Sequence, residues 1–267
     1  MLGKLIKYEF RAMGRIMLPV YLVMIALAGL FAVNLKLNID GPAKTLLERF
    51  AIITGFLFAA AILAVFIVMV VMIILRFYRN LLGTEGYLMF TLPVTTAAHI
   101  ISKLLTAVLW IAIGIGAGII AGLLMVGVLS DVPEFLQELN SAWQMLVSGD
   151  NAALRVALIV ILLIASVIES ICQVYAAISI GQLAGNHRLA CSVLAYIGLG
   201  VLELLLAMLL SKTPAGNALT LLTENSTAPT LQIRISLYQT LLRSAVYAVI
   251  SWYLLDRHLN LSGTSGS

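Results

Sequence analysis

Residues 50–129 read FAIITGFLFAAAILAVFIVMVVMIIL (Phe50–Leu75), then RFYRNLLGTEGYLMFTLPVTTAAHIISK (Arg76–Lys103), then LLTAVLWIAIGIGAGIIAGLLMVGVL (Leu104–Leu129). The two outer pieces hold no charged residue. Each exceeds the about 20 apolar residues that carry a helix across a bilayer. The piece between them is more than a linker. It holds Arg76, Arg79 and a Gly-Thr-Glu-Gly turn signal at 83–86, followed by the amphiphilic run Tyr87-Leu88-Met89-Phe90-Thr91-Leu92 and a stop at Pro93. Tyr, Met and Phe on a polar loop mark a docking surface. The expectation is a loop that takes force from a soluble partner and passes it into the membrane.

Composition extends that reading to the whole chain. Of 267 residues, 62% are hydrophobic and 10% charged, with a mean hydropathy of +1.08. Soluble domains carry about 25% charged residues, so the chain reads as a polytopic membrane protein with no room for a sizeable soluble domain. Cys172 and Cys191 fall in or beside apolar segments and suggest buried, inert thiols rather than a disulfide framework or metal cluster. The pI of about 9.1 reflects cations flanking membrane spans, not a nucleic-acid surface.

The apolar runs predict an all-α fold of six transmembrane helices: Ile16–Val33, Phe50–Leu75, Leu104–Leu129, Leu154–Leu183, Leu189–Leu210 and Leu237–Leu255. Before the first, Leu2–Arg15 predicts an amphipathic helix lying in the membrane interface. Lys4, Lys7, Arg11 and Arg15 occupy one face, toward anionic headgroups, with Leu2, Leu5, Ile6, Phe10 and Met13 opposite. These four cations set the N-terminus inside, and six spans return the C-terminus to the same side. Nine Lys and Arg (4, 7, 11, 15, 76, 79, 103, 188 and 257) then lie in the cytoplasm and seven outside. Residues 131–148 predict an extracytoplasmic surface helix with an apolar stripe of Val132, Phe135, Leu136, Leu139, Trp143 and Leu146. Ser211–Ser236 predicts a long outer loop. Residues 1–261 thus form one membrane domain, and the Ser-Gly-Thr-Ser-Gly-Ser run at 262–267 reads as an appended linker scar.

Three sets of residues stand out inside the spans. Gly114, Gly118 and Gly122 repeat every four residues and predict a helix-packing face. Ser166, Glu169, Ser170 and Gln173 share one helical face near mid-membrane. A carboxylate there costs about 2.5–3.5 kcal/mol, so it must face protein or water. Glu169, with Ser166 and Gln173, lines a substrate path or subunit seam, or is held by hydrogen bonds within the bundle. Glu203 and Arg243 lie at similar depths from the outer surface, roughly 10 Å and 9 Å at helical rise, which predicts an interhelical ion pair. No catalytic constellation appears: His99, His187 and His258 sit at cytoplasmic span ends and read as interfacial. There is no Gly-x-x-x-x-Gly-Lys-Ser/Thr loop, so ATP-driven work needs a separate subunit.

Taken together, the basic N-terminal MLGKLIKYEFRAMGR, the loop RFYRNLLGTEGYLMFTLPVTTAAHIISKLL, the ending WYLLDRHLNL and the six-span plan resemble the membrane subunits of bacterial ABC exporters, the type-2 ABC permease family. The resemblance covers most of the chain, and EGYLMFTLPV is its most telling part. It implies an N-terminal elbow helix and pairing with an identical or sister permease in the bacterial cytoplasmic membrane. It also implies two cytosolic ATPase subunits that bind the ATP and Mg, this chain having no cofactor of its own. The loop between the second and third spans would act as the coupling helix. Carried over, Glu85, Gly86, Tyr87, Leu88, Phe90, Leu92 and Pro93 form the ATPase contact. Compact relatives are linked to antimicrobial-peptide export or resistance, and others move lipids, polysaccharides or drugs. The leading expectation is therefore a non-enzymatic permease subunit of an ATP-driven exporter. An ion-coupled transporter using Glu169 as a proton site is the alternative, weakened by the lack of an inverted repeat.

Overall fold

The computed structural model describes residues 2–37, 43–82, 95–129, 132–147, 151–184, 187–213 and 229–257, and all regular structure among them is helical. Seven helices follow in order: α1 (Leu2–Lys36), α2 (Ala43–Leu82), α3 (Thr96–Leu129), α4 (Val132–Val147), α5 (Ala152–Gly181), α6 (Arg188–Ser211) and α7 (Pro229–Arg257). Five of them, α1, α2, α3, α5 and α6, are long and apolar enough to cross a membrane.

The differences from the expected plan each have a physical source. The segment expected as the sixth span, Leu237–Leu255, lies within the 29-residue α7. That helix has the length, but Gln239, Arg243 and Ser244 break its apolar run, and α7 is not among the five. It begins at Pro229, eight residues before the expected start, because helical geometry does not stop where hydropathy falls; the outer loop expected at Ser211–Ser236 is shortened accordingly. Pro suits a first helical position, where its missing N–H costs nothing. The amphipathic segment Leu2–Arg15 is continuous with the first span in α1 rather than a separate helix. At 35 residues, α1 is about 52 Å long, more than the about 40–45 Å of a whole bilayer, so its basic end has to leave the hydrocarbon. Pro19 sits inside α1 and removes the hydrogen bond to the Arg15 carbonyl, which makes that turn the cheapest place to bend. The polar interruption at Arg76–Lys103 is helical at both ends, since α2 runs to Leu82 and α3 starts at Thr96.

The chain divides into two compact units, residues 1–73 with 105–145 and residues 74–104 with 146–267. In the first, α1 buries Met13, Met17, Tyr21, Met24, Ala28 and Ala32, a 4-4-3-4-4 spacing that places all six on one face. On α3 the buried Ala107, Trp110, Ala117 and Ala121 continue through Gly114 in 3-4-3-4 spacing. The two helices meet through reciprocal aromatic and glycine positions. A Cβ on Gly14 would come within 2.9 Å of the Trp110 ring, and one on Gly114 within 2.8 Å of the Tyr21 hydroxyl. Because Gly114 has no side chain, Tyr21 Oη reaches and donates to the Trp110 carbonyl at 2.9 Å. The Trp110 indole N–H in turn donates to the Phe10 carbonyl at 3.3 Å, and the Phe10 ring stacks on Trp110 with centroids 4.8 Å apart.

Of the expected glycine face, only Gly114 meets a neighbour; a Cβ on Gly118 or Gly122 would find no atom within 4 Å. Gly114→Val is therefore expected to lower stability by about 2–3 kcal/mol, combining a lost hydrogen bond with overpacking. Gly118→Val, facing open space, should leave the melting temperature in detergent unchanged. Equal melting temperatures for the two variants would contradict this reading of the α1–α3 contact.

In the second unit α5 packs against both α6 and α7. Cys172 and Ala176 of α5 and Tyr247 of α7 form a buried cluster, with Ile168, Leu199 and Ile250 around it. Phe77, near the end of α2, stacks on Tyr175 with centroids 4.0 Å apart and planes 15° apart. The end of α5 and the first turns of α6 approach closely: a Cβ on Gly181 would sit 2.6 Å from the Ser192 backbone nitrogen, a clash that only a backbone shift could relieve. At this end of the unit Gln182 Nε2 donates to the Leu254 carbonyl at 3.4 Å, and Thr96 Oγ1 donates to Asp256 Oδ1 at 3.2 Å.

Candidate functional site

Arg243 stands at the midpoint of α7, 14 residues from each end of the helix, or roughly 21 Å at helical rise; the other interior cation, Arg234, lies near the helix start. Within a helix bundle an isolated guanidinium is costly unless it is paired. Arg243 meets two carboxylates from two neighbouring helices. Its Nε lies against Glu169 Oε1 of α5, and its Nη2 donates to Glu169 Oε2 at 3.3 Å. The result is a two-point fork, the geometry in which arginine binds a carboxylate best. The same Nε lies 3.1 Å from Oε1 of Glu203 on α6. One turn further along α7, the buried Tyr247 lies beside Glu203. Three helices are thus joined at mid-length by one guanidinium.

Two carboxylates and one guanidinium leave a formal charge of −1. The Glu169 side chain is 13% exposed and Glu203 31%, but Arg243 is 44% exposed. The cluster therefore opens on one side. In a bilayer that open side needs water, a headgroup or another protein surface, because lipid tails cannot solvate it.

The sequence-level candidates fall as follows. Glu203 and Arg243 adjoin one another at the 3.1 Å given above. Glu169, read separately as a path residue, is the third member of the same cluster. Ser166 turns back to donate to the Leu163 carbonyl at 2.9 Å, and Ser170 likewise to the Ser166 carbonyl at 2.9 Å. Both hydroxyls are satisfied within their own helix, so the polar face contributes Glu169 and the half-buried Gln173 rather than a continuous lining. Glu85, Gly86, Tyr87, Leu88, Phe90, Leu92 and Pro93 lie outside the described residues. His99, read as interfacial, is completely buried, as are its neighbours Ser102 and Thr106, and Lys103 is nearly so; His187 is exposed. Tyr247 was not singled out by sequence, although its position four residues after Arg243 on one helical face could have indicated it.

Among the described residues no group of three or more His, Cys, Asp or Glu side chains comes together as a metal site. Cys172 and Cys191 are free thiols. No protein-family model matches the chain, and neither a curated protein nor a solved structure does. The described residues are all-helical in their regular structure, and five of the helices have the length and apolar composition of membrane spans, the character of a membrane-embedded protein.

Proposed function

We propose that this chain is the membrane-spanning permease subunit of an ATP-driven exporter of the type-2 ABC kind, seated in a bacterial cytoplasmic membrane with both termini inside. The observation that carries the reading is the Arg243 cluster. It binds α7 at mid-length to α5 and α6, two helices apolar enough to span, and so supports α7 as the sixth transmembrane helix despite its polar residues. Six spans, the basic start of α1 as an elbow bent near Pro19, and the EGYLMFTLPV run as the coupling segment then fit one plan. In that plan Glu85–Pro93 contacts a cytosolic ATPase that holds the ATP and Mg. Closure of the ATPase dimer pushes this segment, and the spans rock against those of a second permease, identical or homologous. The open side of the cluster supports a polar seam there, through which a peptide, drug or lipid is exported.

The ion-coupled alternative draws on Glu169. Its two oxygens are engaged by the Arg243 fork, which favours the first reading. Within the exporter reading, Glu169→Gln is expected to preserve assembly and to change substrate-stimulated ATP hydrolysis by the complex. Unchanged hydrolysis would assign Glu169 to architecture alone. The reading as a whole is tested by co-purification of the chain with an ATPase from the cells that make it.

A further inference from the structure

The N-terminal half of α1 and the start of the apolar part of α3 enclose a groove of about 890 Å³, running from Gly3 to Leu18 on one side and along Leu109 and Trp110 on the other. We propose that this groove binds one anionic phospholipid of the surrounding leaflet.

The groove has two chemistries. Its floor is the stacked pair Phe10 and Trp110, and exposed Leu18 and Leu109 extend it as apolar wall. Along its rim stand Lys7, Arg11 and Arg15. These three are exposed, and none is engaged with a described residue by hydrogen bond or ion pair. Like charges at successive i, i+4 positions repel one another, so a run of three uncompensated cations within about 12 Å calls for an anionic counterpart. A free phosphate would satisfy the rim and leave the exposed Leu18 and Leu109 uncovered. A phospholipid satisfies both, its phosphate among the cations and an acyl chain along the wall. The order along α1 agrees: Lys7, Arg11 and Arg15 precede Leu18, so the phosphate lies among the cations and the acyl chain runs on toward Leu18 and Leu109. The proposal needs only that α1 enters a membrane, and stands or falls independently of the exporter reading.

The test reads Trp110 directly. In the full chain carrying Trp143→Phe and Trp252→Phe, both at exposed positions, Trp110 is the remaining tryptophan. The protein is placed in phosphatidylcholine bilayers, and a brominated lipid, which quenches tryptophan emission at short range and so reports on a ring buried just beneath the groove, is titrated in. Brominated phosphatidylglycerol is expected to quench with an apparent affinity about tenfold above that of brominated phosphatidylcholine. Arg11→Gln, which leaves the other cations to hold orientation, should cut that preference about two- to fivefold. The triple variant Lys7→Gln, Arg11→Gln, Arg15→Gln should abolish it. Equal quenching by the two lipids, or a preference that survives Arg11→Gln and the triple variant unchanged, would overturn the proposal. So would relief of the quenching by free glycerol phosphate, which would mark an anion site for headgroups alone.

Discussion

Arg243→Gln is expected to lower the melting temperature and the monodisperse yield sharply, whereas Glu169→Gln and Glu203→Gln each leave both closer to the parent protein. The asymmetry follows from charge arithmetic. Arg243 is shared by two carboxylates, so the cluster carries a formal −1. Removing either glutamate charge leaves one acid and one base, a neutral pair that keeps its hydrogen bonding. Removing the guanidinium leaves two carboxylates that both pointed at one nitrogen, a formal −2 within the bundle. Breaking a buried ion pair from one side costs about 3–5 kcal/mol. The partial exposure of Arg243 puts the effect near the lower end, about 3 kcal/mol, or roughly a hundredfold in the folded-to-unfolded ratio. Glu169 should be the more sensitive of the two acids, since it receives the fork and Glu203 a single contact. The combined neutral set Arg243→Gln, Glu169→Gln, Glu203→Gln should recover much of the loss, because a neutral polar cluster carries no unpaired charge. The three-membered cluster also alters the usual reciprocal test. Exchanging Glu203→Arg with Arg243→Glu restores one pair but sets the new carboxylate against Glu169, so full rescue requires Glu169→Gln as well. Monodisperse yield in detergent and melting temperature measure all of these. A melting temperature for Arg243→Gln equal to that of Glu203→Gln would contradict the geometry.

Phe90→Asp is expected to abolish the complex with the ATPase while the spans remain folded. A large aromatic side chain at the centre of a docking surface behaves as a hot spot, worth about 2 kcal/mol or more. Replacing it with a carboxylate adds the cost of burying an unpaired charge. Together these reduce the affinity by at least roughly thirtyfold. Tyr87→Asp should act in the same direction. Phe90 lies outside the described residues, so this prediction rests on the EGYLMFTLPV run and its setting between two long apolar helices. An unchanged melting temperature together with lost co-purification is the expected pair of results. Full complex and full transport in the variant would remove the coupling role from this segment.

How much of this was legible in the sequence depends on which physical signal each feature leaves. Apolar length is a strong signal, and the spans expected at Leu154–Leu183 and Leu189–Leu210 match α5 and α6 to within two residues. Polar residues at a helix end leave a weak one. The stretch Pro229–Ser236 is helical but too polar to count as span, and leaving it out placed Arg243 only about 9 Å deep. Measured from the true start of α7, Arg243 lies about 21 Å along its helix and Glu169 about 25 Å along α5, a match that the shortened helix had concealed. By the same measure Glu203 lies about 12 Å from the end of α6, so the depth match that predicted the Glu203–Arg243 pair held only for the expected span ends, and the three-way meeting is set by packing. The opposite error appears at Ser166. Residue type and face suggested a lining, while a serine within a helix can satisfy itself on the preceding turn and leave no trace of that in the sequence. Burial of His99 and Lys103 was hidden for a related reason: charge and position point to an interface, and only tertiary packing closes over them. The Gly114–Gly118–Gly122 stripe was legible as a pattern. Which of its members touches a neighbour is set by Tyr21, nearly a hundred residues away in sequence.

The central claim is that this chain transmits work from a cytosolic ATPase into the membrane. The most direct measurement is affinity purification of the chain from the cells that produce it, followed by assay of the purified material for ATP hydrolysis. The account predicts that an ATPase co-elutes in stable complex, that hydrolysis is present, and that both disappear with Phe90→Asp. A chain that elutes alone without hydrolysis, and that carries out ATP-independent transport in liposomes by itself, would contradict it.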